Sequence, residues 1–189
     1  RNGWDADFIP CVGSGANASA GVALISRIGW SVKRITADLV GIDVPLSPHF
    51  GFWLSEGVFS GGFVIVVLYL IDTIGMVHPN TSFLDQVAAL LYALGKPFVI
   101  LADWNIPPHV LEASGWLRNI KGFISEPGRA TCHVKSAAST YDYAVYSIHW
   151  EVKPTAALFE QWTCSPHTAV LFQTAARQPD VRIKIFRRP

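Results

Sequence analysis

The sequence predicts a single α/β sandwich, in which two β-sheets stack face to face and a helix packs on the outside. Three observations lead to this prediction. The 189 residues suffice for one sizeable domain, and no internal repeat or long linker divides them. Half of the residues are hydrophobic and only 15% are charged, which excludes a disordered chain. Short apolar runs separated by turn residues recur along the chain, and one longer segment has helical periodicity.

The N-terminal part predicts two strands after an irregular start. Residues 1–19 are expected to be irregular, because the glycine-rich stretch at 13–16 lacks the preceding strand and spacing of a phosphate-binding loop. Residues 20–26 form a compact apolar run that predicts a strand. Residues 31–40 alternate loosely and are its candidate partner.

The next segment predicts a hairpin. Residues 51–59 and 63–71 flank Gly61-Gly62, and glycine readily supplies the positive φ angles of a tight turn. The longest uncharged apolar run, residues 57–71, is shorter than the roughly 18 residues of a membrane-spanning helix. Its run of β-branched residues favours a buried strand instead, so we expect no membrane span.

One helix follows the hairpin. Ser82 and Asp85 have the spacing of a capping box, with Asp in place of the usual Glu. Gly95 and Pro97 are expected to end the helix. The residues expected on its apolar face are Leu84, Val87, Ala88, Leu91 and Leu94.

The C-terminal half predicts four further strands, at residues 97–101, 141–148, 168–174 and 181–186. Residues 175–189 also form a basic tail, for which solvation or a contact with phosphate are the alternatives. Its basic residues in the last strand and beyond are Arg182, Lys184, Arg187 and Arg188.

The first candidate site residues are Asp103 and Asn105, which closely follow the buried strand at 97–101. If the chain stays extended, residues two apart face the same way, so a carboxylate and an amide would project together. A carboxylate there can hold a metal or a proton, and an amide can hold a phosphate oxygen. The alternative is that both side chains form Asx turns that lead into Ile106-Pro107.

A second candidate pair is Asp142 and His167. Asp142 lies within an aromatic stretch, and a buried carboxylate without a partner costs several kcal/mol. His167, just before the strand at 168–174, is the obvious partner. An Asp that orients a His suits acid–base chemistry, and a purely structural pair is the alternative.

In chain order these motifs resemble the endonuclease/exonuclease/phosphatase (DNase I-like) family. The family's Gly-Asp-Phe/Trp-Asn appears as residues 102–105, its Ser-x-Ile-Asp-Tyr as 139–143, and its Ser-Asp-His as 165–167. Tyr69 stands in the place of the family's strand tyrosine. The resemblance spans about residues 20–174 and looks nearest to the endonuclease modules of retroelements.

The resemblance implies a four-layer α/β sandwich and Mg²⁺-dependent hydrolysis of phosphodiesters, usually in nucleic acid. Asp103 would position or activate the attacking water and contribute to the metal site. Asn105 and Tyr69 would contact the phosphate. His167 would polarise that phosphate or act as base, with Asp142 orienting its ring.

Departures from the family pattern predict an N-terminally incomplete, partly degenerate module. Nothing upstream of residue 20 resembles the family's first two strands, which carry an Asn and a metal-binding Glu. Pro166 replaces the acid of Ser-Asp-His, and Ala102 replaces a Gly. Asp103 alone would hold Mg²⁺ weakly, because hard cations bind several oxygen ligands.

The resemblance and the departures from it leave two functional hypotheses. The first is an impaired phosphodiesterase; the second is a non-catalytic scaffold or binding subunit, with another protein chain covering the missing strands. The formal charge of +1 shows no basic excess for a nucleic-acid partner. The three widely spaced cysteines do not form a disulfide framework, which is compatible with an intracellular reducing compartment.

Overall fold

The computed structural model describes residues 3–12, 20–56, 61–150 and 153–174. Its helices are α1 (Ala37–Val40), α2 (Asn80–Leu94), α3 (Pro108–Ala113) and α4 (Trp116–Ile120). Its strands are β1 (Trp4–Ile9), β2 (Val22–Arg27), β3 (Val32–Arg34), β4 (Phe50–Ser55), β5 (Phe63–Tyr69), β6 (Phe98–Asp103), β7 (Gly122–Ser125), β8 (Cys132–Val134), β9 (Ala137–Ser139), β10 (Asp142–Ser147), β11 (Thr155–Cys164) and β12 (His167–Gln173).

The strands form three sheets. The largest has the order β3-β4-β5-β6-β10-β7, with β5 and β6 parallel and the other neighbours antiparallel. A four-stranded sheet has the order β11-β12-β8-β9, and β1 pairs with β2. Helix α2 connects the parallel strands β5 and β6, as a crossover between parallel strands requires.

The six-stranded sheet has an apolar core on each face. The core on one face is formed with the helices, which contribute Leu84, Val87, Leu90, Leu91, Leu111, Trp116 and Leu117. The core on the other face is formed with β1, β2 and β12, through Ile9, Val22, Leu24 and Phe172. Among the described residues, no helix contributes to this second core. The predicted α/β sandwich is therefore confirmed, and the described residues show three of its layers.

The expectation of an irregular segment at residues 1–19 was wrong for its first part. Trp4–Ile9 is a strand whose six residues pair antiparallel with β2. Asp7 fixes it to the large sheet, because its carboxylate accepts two bonds of 2.6 Å from Arg34 and one of 2.7 Å from Trp53. The glycine-rich stretch at 13–16 lies outside the described residues.

The predicted pairing of residues 31–40 with 20–26 was also wrong. Within that segment only Val32–Arg34 is a strand, and it pairs with β4. Residues 20–26 contribute β2, whose described partner is β1 instead. Apolar alternation identified both segments but could not identify the partner of either strand.

The predicted helix exists, but its capping box does not. Helix α2 begins at Asn80 rather than after Ser82, and no side chain caps its N-terminus. The Asn80 amide instead makes three bonds, with the backbone of Ile71 and with the Gly75 carbonyl. The predicted C-terminal end is confirmed, since Gly95 adopts a positive φ of 59° there.

Other sequence predictions are confirmed. Strands β4 and β5 form the predicted hairpin, with Gly61 and Gly62 at φ 85° and 73°. The strands predicted at 97–101, 141–148 and 168–174 correspond to β6, β10 and β12. The strand predicted at 181–186 and the basic tail lie outside the described residues. None of the described helices has the length and apolar character needed to cross a membrane.

Candidate functional site

Three predicted site residues lie at one end of the large sheet. Tyr69 ends β5 and Asp103 ends β6, and the parallel register places the two side by side. Asp142 begins β10 and pairs with Asp103 from the other side, because β10 runs antiparallel to β6. The topology therefore brings a phenol and two carboxylates to adjacent strand ends.

Trp104 holds these strand ends together. Its side chain is fully buried and stacks on Tyr143 at 5.1 Å between ring centroids. Its backbone N–H donates to the Tyr141 carbonyl, and its indole N–H donates to the Tyr143 carbonyl. Trp104 thus fixes the end of β6 against the start of β10, where Asp103 and Asp142 lie.

Asn105 does not continue the extended chain. It has a φ of 49°, and its backbone N–H donates to Asp103 Oδ1 at 3.2 Å, which is an Asx turn. Its side-chain amide donates to the Leu70 carbonyl at 2.7 Å. Of the two alternatives for this motif, the structure therefore shows the Asx turn rather than an extended chain. The Asn105 side-chain amide connects the end of β6 to the residue that follows β5.

His167 reaches this edge from the other sheet. It follows the turn at Ser165 and Pro166 and is the first residue of β12. Its Nδ1 donates to Asp142 Oδ2 at 2.8 Å, while its Nε2 lies 3.9 Å from Asp103 Oδ2. The ring is half-buried between the two carboxylates, so the predicted Asp142–His167 pair is present in the structure.

A buried threonine, which the sequence analysis missed, positions the pair. Thr131 Oγ1 accepts the backbone N–H groups of Tyr141 and Asp142 at 3.0 and 2.9 Å. Its carbonyl accepts the N–H of Thr168 at 2.7 Å. Thr131 therefore fixes the backbone at Asp142 and beside His167, which lie on different sheets. A buried Thr outside any motif carries no sequence signal for this role.

The electrostatics of the edge favour binding of a cation. Burial, and then the charge of Asp142, raise the pKa of the Asp103 carboxyl from 3.8 to about 6, against a lowering by His167 and the Asn105 N–H. The charge of Asp72 raises this pKa further, so an acid outside the predicted motifs also acts on the site. Burial, with the charges of Asp103 and Asp72, raises the pKa of Tyr69, whose hydroxyl therefore remains a hydrogen-bond donor.

The side chains at this site supply some, but not all, of the ligands that a hard divalent cation needs. Asp103, Asp142 and His167 each offer a ligand atom, and these atoms lie within 4.8 Å of one another. The imidazole already occupies Asp142 Oδ2, so Asp103 is the main carboxylate for a metal. Mg²⁺ commonly binds one or two carboxylates and keeps several waters, so one carboxylate and its neighbours can hold it.

Several solved structures share the fold of this chain. The endonuclease domain of TRAS1, a telomere-specific non-LTR retrotransposon, is 12% identical with a TM-score of 0.65, over 88% of this chain and 77% of that one. An endonuclease/exonuclease/phosphatase family protein from Leptotrichia buccalis is 10% identical with a TM-score of 0.60, over 92% and 73%. The catalytic domain of human nocturnin is 17% identical with a TM-score of 0.55, over 90% and 73%.

The sequence itself gives no corresponding match. No protein-family model and no curated protein sequence matches the chain. At these identities the structural likeness establishes the fold alone. The chain has the DNase I-like fold of the endonuclease/exonuclease/phosphatase proteins.

Proposed function

We propose that this chain is a divergent phosphodiester hydrolase that acts on nucleic acid with Mg²⁺, and that the Asp103–Asp142–His167 edge is its active site. The observation that carries this proposal is the placement of one imidazole between two carboxylates, at 2.8 Å and 3.9 Å. A structural Asp–His pair requires only the first contact. The second carboxylate beside Nε2 leaves a reactive nitrogen facing a group that can hold a water or a metal.

The Asp142–His167 pair supplies acid–base chemistry. Because Asp142 accepts a hydrogen bond from Nδ1–H, the neutral ring keeps its proton on Nδ1 and its lone pair on Nε2. Nε2 can then accept a proton from a water that attacks phosphorus. In the protonated form it can donate to a phosphoryl oxygen and stabilise the negative charge that develops there.

The remaining site residues hold the water and the phosphate. Asp103 orients the attacking water, since its carboxylate lies across from Nε2. Tyr69 offers a hydroxyl donor beside Asp103. Asn105 keeps one amide N–H for a phosphate oxygen after its bond to Leu70.

A divalent cation would be held chiefly by Asp103, with Asp142 and Asp72 adding negative charge nearby. When bound, it would neutralise charge on the phosphoryl oxygens. Ionised Asp103 would also be stabilised, because a cation opposes the burial and repulsion that raise its pKa.

Nucleic acid is the proposed substrate class, and a retroelement-type endonuclease is the proposed kind of enzyme. The likeness to the endonuclease domain of a retrotransposon supports this choice. The formal charge of +1 does not add to it, so binding would depend on local contacts at the site.

A non-catalytic scaffold or binding subunit is the second candidate. It is favoured by Pro166, which is exposed in the β11–β12 turn and has no side-chain oxygen for a metal. With Asp142 engaged by His167, Asp103 is left as the main metal ligand, which weakens metal binding and disfavours hydrolysis.

Cleavage of supercoiled plasmid by the full chain in Mg²⁺ or Mn²⁺ tests the two candidates. We expect nicking that falls at least about 100-fold in His167→Ala, which removes the acid–base group. Asp142→Asn should retain the fold and lose activity to a similar extent, because the ring loses its orienting carboxylate.

The matched control is His149→Ala, since His149 is exposed and follows the opposite end of β10. Its nicking rate should equal that of the wild type. Absence of nicking by the wild type in both metals would reject the hydrolase for this chain and favour the scaffold. Nicking that persists in His167→Ala would assign the activity to another site.

A further inference from the structure

A groove of about 500 Å³ lies on the second face of the large sheet, away from the helices. Ile65, Val99 and Leu101 belong to its floor, and they come from the central strands β5 and β6. Residues 24–27 of β2 form one wall, and Val170 and Phe172 of β12 form the other. The groove therefore separates the two smaller sheets that cover this face.

The floor of this groove is less covered than the opposite face of the same strands. In β5, Val66 faces the helices and is 0% exposed, whereas the neighbouring floor residue Ile65 is 9% exposed. In β6, Ile100 is 0% exposed, whereas the floor residues Val99 and Leu101 are 6% exposed and half-buried, respectively. Central strands of a sandwich usually bury both faces, so this face has room for more structure.

Large apolar side chains are exposed along the β2 wall. Trp4 and Trp30 line the groove and are 54% and 55% exposed, and Ile25 is 60% exposed. A cluster of this kind is typical of a surface that is covered by a partner.

The walls also present strand edges. Residues 24–27 of β2 line the groove consecutively, so β2 meets it with its edge rather than with one face. Within the described ranges β2 pairs with β1 alone. Strand β12 pairs with β11 on one side, and on the other side its register with β8 covers only His167. Among the described residues, most backbone N–H and C=O groups along these two edges therefore have no partner strand, and they suit pairing with another strand.

We propose that this groove binds an extended strand of a second polypeptide, by strand addition to β2 or β12. A strand supplies backbone donors and acceptors for the free edge and alternate side chains for the apolar floor. A helix or a small apolar ligand would cover the floor but leave the edge groups unpaired.

The charge of the groove indicates which charged residue the incoming strand carries. Arg27 is the charged residue among those that line it, and its guanidinium lies 5.5 Å from the centre of the Trp4 ring. The incoming strand is therefore apolar on one face and carries an acidic residue that reaches Arg27. The chain's own segment at 181–186 alternates apolar and basic residues, and this charge pattern does not complement Arg27.

Selection of phage-displayed random dodecapeptides against the full chain tests this proposal. We expect enriched peptides with apolar residues at every second position and at least one Asp or Glu. A synthetic copy of the best peptide should bind at least 10-fold more weakly to Val170→Asp, which places a charge in the groove. The matched control is Val134→Asp, because Val134 is also a strand valine, is 52% exposed and does not line the groove.

Two further measurements distinguish strand addition from non-specific hydrophobic binding of the peptide. N-methylation of alternate backbone nitrogens removes donors and should weaken the peptide at least 10-fold. Arg27→Glu is an exposed substitution that should not impair folding, and it should turn the preference from acidic to basic peptides.

The proposal is overturned if no peptides are enriched, if Val170→Asp binds normally, or if N-methylation has no effect. It is also overturned if the wild type is a dimer that Val170→Asp dissociates, which would make a second copy the occupant. Tighter peptide binding by the full chain carrying Ile183→Asp and Ile185→Asp would instead identify segment 181–186 as the occupant. These measurements use neither metal nor nucleic acid, so they do not depend on the proposed hydrolase activity.

Discussion

At the residue scale, the site contains two carboxylates that compete for one imidazole. Asp142 holds the ring at 2.8 Å, and Asp103 is left without a comparably short ion pair. Burial and the charge of Asp142 therefore act on Asp103 with little compensation, and its pKa rises to about 6. Such an unfavourable ionised group costs stability, which is common where a residue is retained for function.

This arrangement predicts a stability that depends on pH through Asp103. A raised folded-state pKa means that the native state holds the proton more tightly than the unfolded chain does. The contribution of protonated Asp103 to the free energy of unfolding is complete below about pH 4, and it is lost as the pH rises through 6. Asp103→Asn should therefore raise the free energy of unfolding at pH 7 by on the order of 1 to 3 kcal/mol, and much less at pH 4.

Urea unfolding at both pH values, with EDTA to remove divalent metals, measures this difference. Asp38→Asn is the control, because Asp38 is exposed on α1, and it should change stability by less than about 0.5 kcal/mol at either pH. An equal increase in the free energy of unfolding of Asp103→Asn at pH 4 and pH 7 would show that ionisation of Asp103 is not the cause.

At the element scale, local patterns predicted strands and the main helix but not their partners or ends. The run at residues 97–101 and the Gly61-Gly62 turn are local signals, and both predictions were confirmed. Strand β1 was missed because it depends on Asp7, whose partners Arg34 and Trp53 are distant in sequence. Long-range contacts of this kind leave no periodicity in the chain.

At the site, too, local patterns predicted some residues but not the long-range contacts. The sequence predicted that Asp142 and His167 meet, which the structure shows, and the functional roles of both remain proposals. It could not identify Thr131, whose importance arises only because β8, β10 and β12 converge there. It also predicted an extended Asp103-x-Asn105 pair as one alternative, whereas Asn105 turns back at a positive φ.

The junction at Thr131 predicts a large difference between two conservative substitutions. Thr131→Val keeps the shape but leaves the N–H groups of Tyr141 and Asp142 without their acceptor. We expect it to lower the free energy of unfolding by about 2 kcal/mol or more, because unpaired buried donors cost about 1 to 3 kcal/mol each. Thr131→Ser keeps the oxygen and should cost only about 1 kcal/mol for the lost methyl group.

Chemical denaturation of both variants checks the stability difference, and the ¹H–¹⁵N signal of Asp142 reports its hydrogen bond directly. Similar losses in the two variants would show that the methyl group, rather than the acceptor, is what matters.

At the scale of the whole molecule, the large sheet is packed unequally on its two faces. Helices α2, α3 and α4 cover one face with a continuous core, while the smaller sheets leave a groove over the other. Within the described part of the chain, the core beneath the helices is therefore well covered and the core beneath the strands is partly covered. The proposed active site lies where the strand layer meets the large sheet, since His167 reaches Asp142 across that boundary.

This inequality predicts different costs for the same substitution at adjacent residues of β5. Val66→Ala removes two methyl groups from a side chain that is 0% exposed beneath the helices, and should cost about 2 kcal/mol or more through lost contacts and a cavity. Val67→Ala makes the same change on the opposite face of β5, where the side chain is only half-buried, and should cost about 1 kcal/mol or less. The two variants share strand, backbone pairing and chemistry, so their difference in urea unfolding reports the cover on each face. A gap of at least twofold is expected, and equal costs would contradict the unequal cover of the two faces.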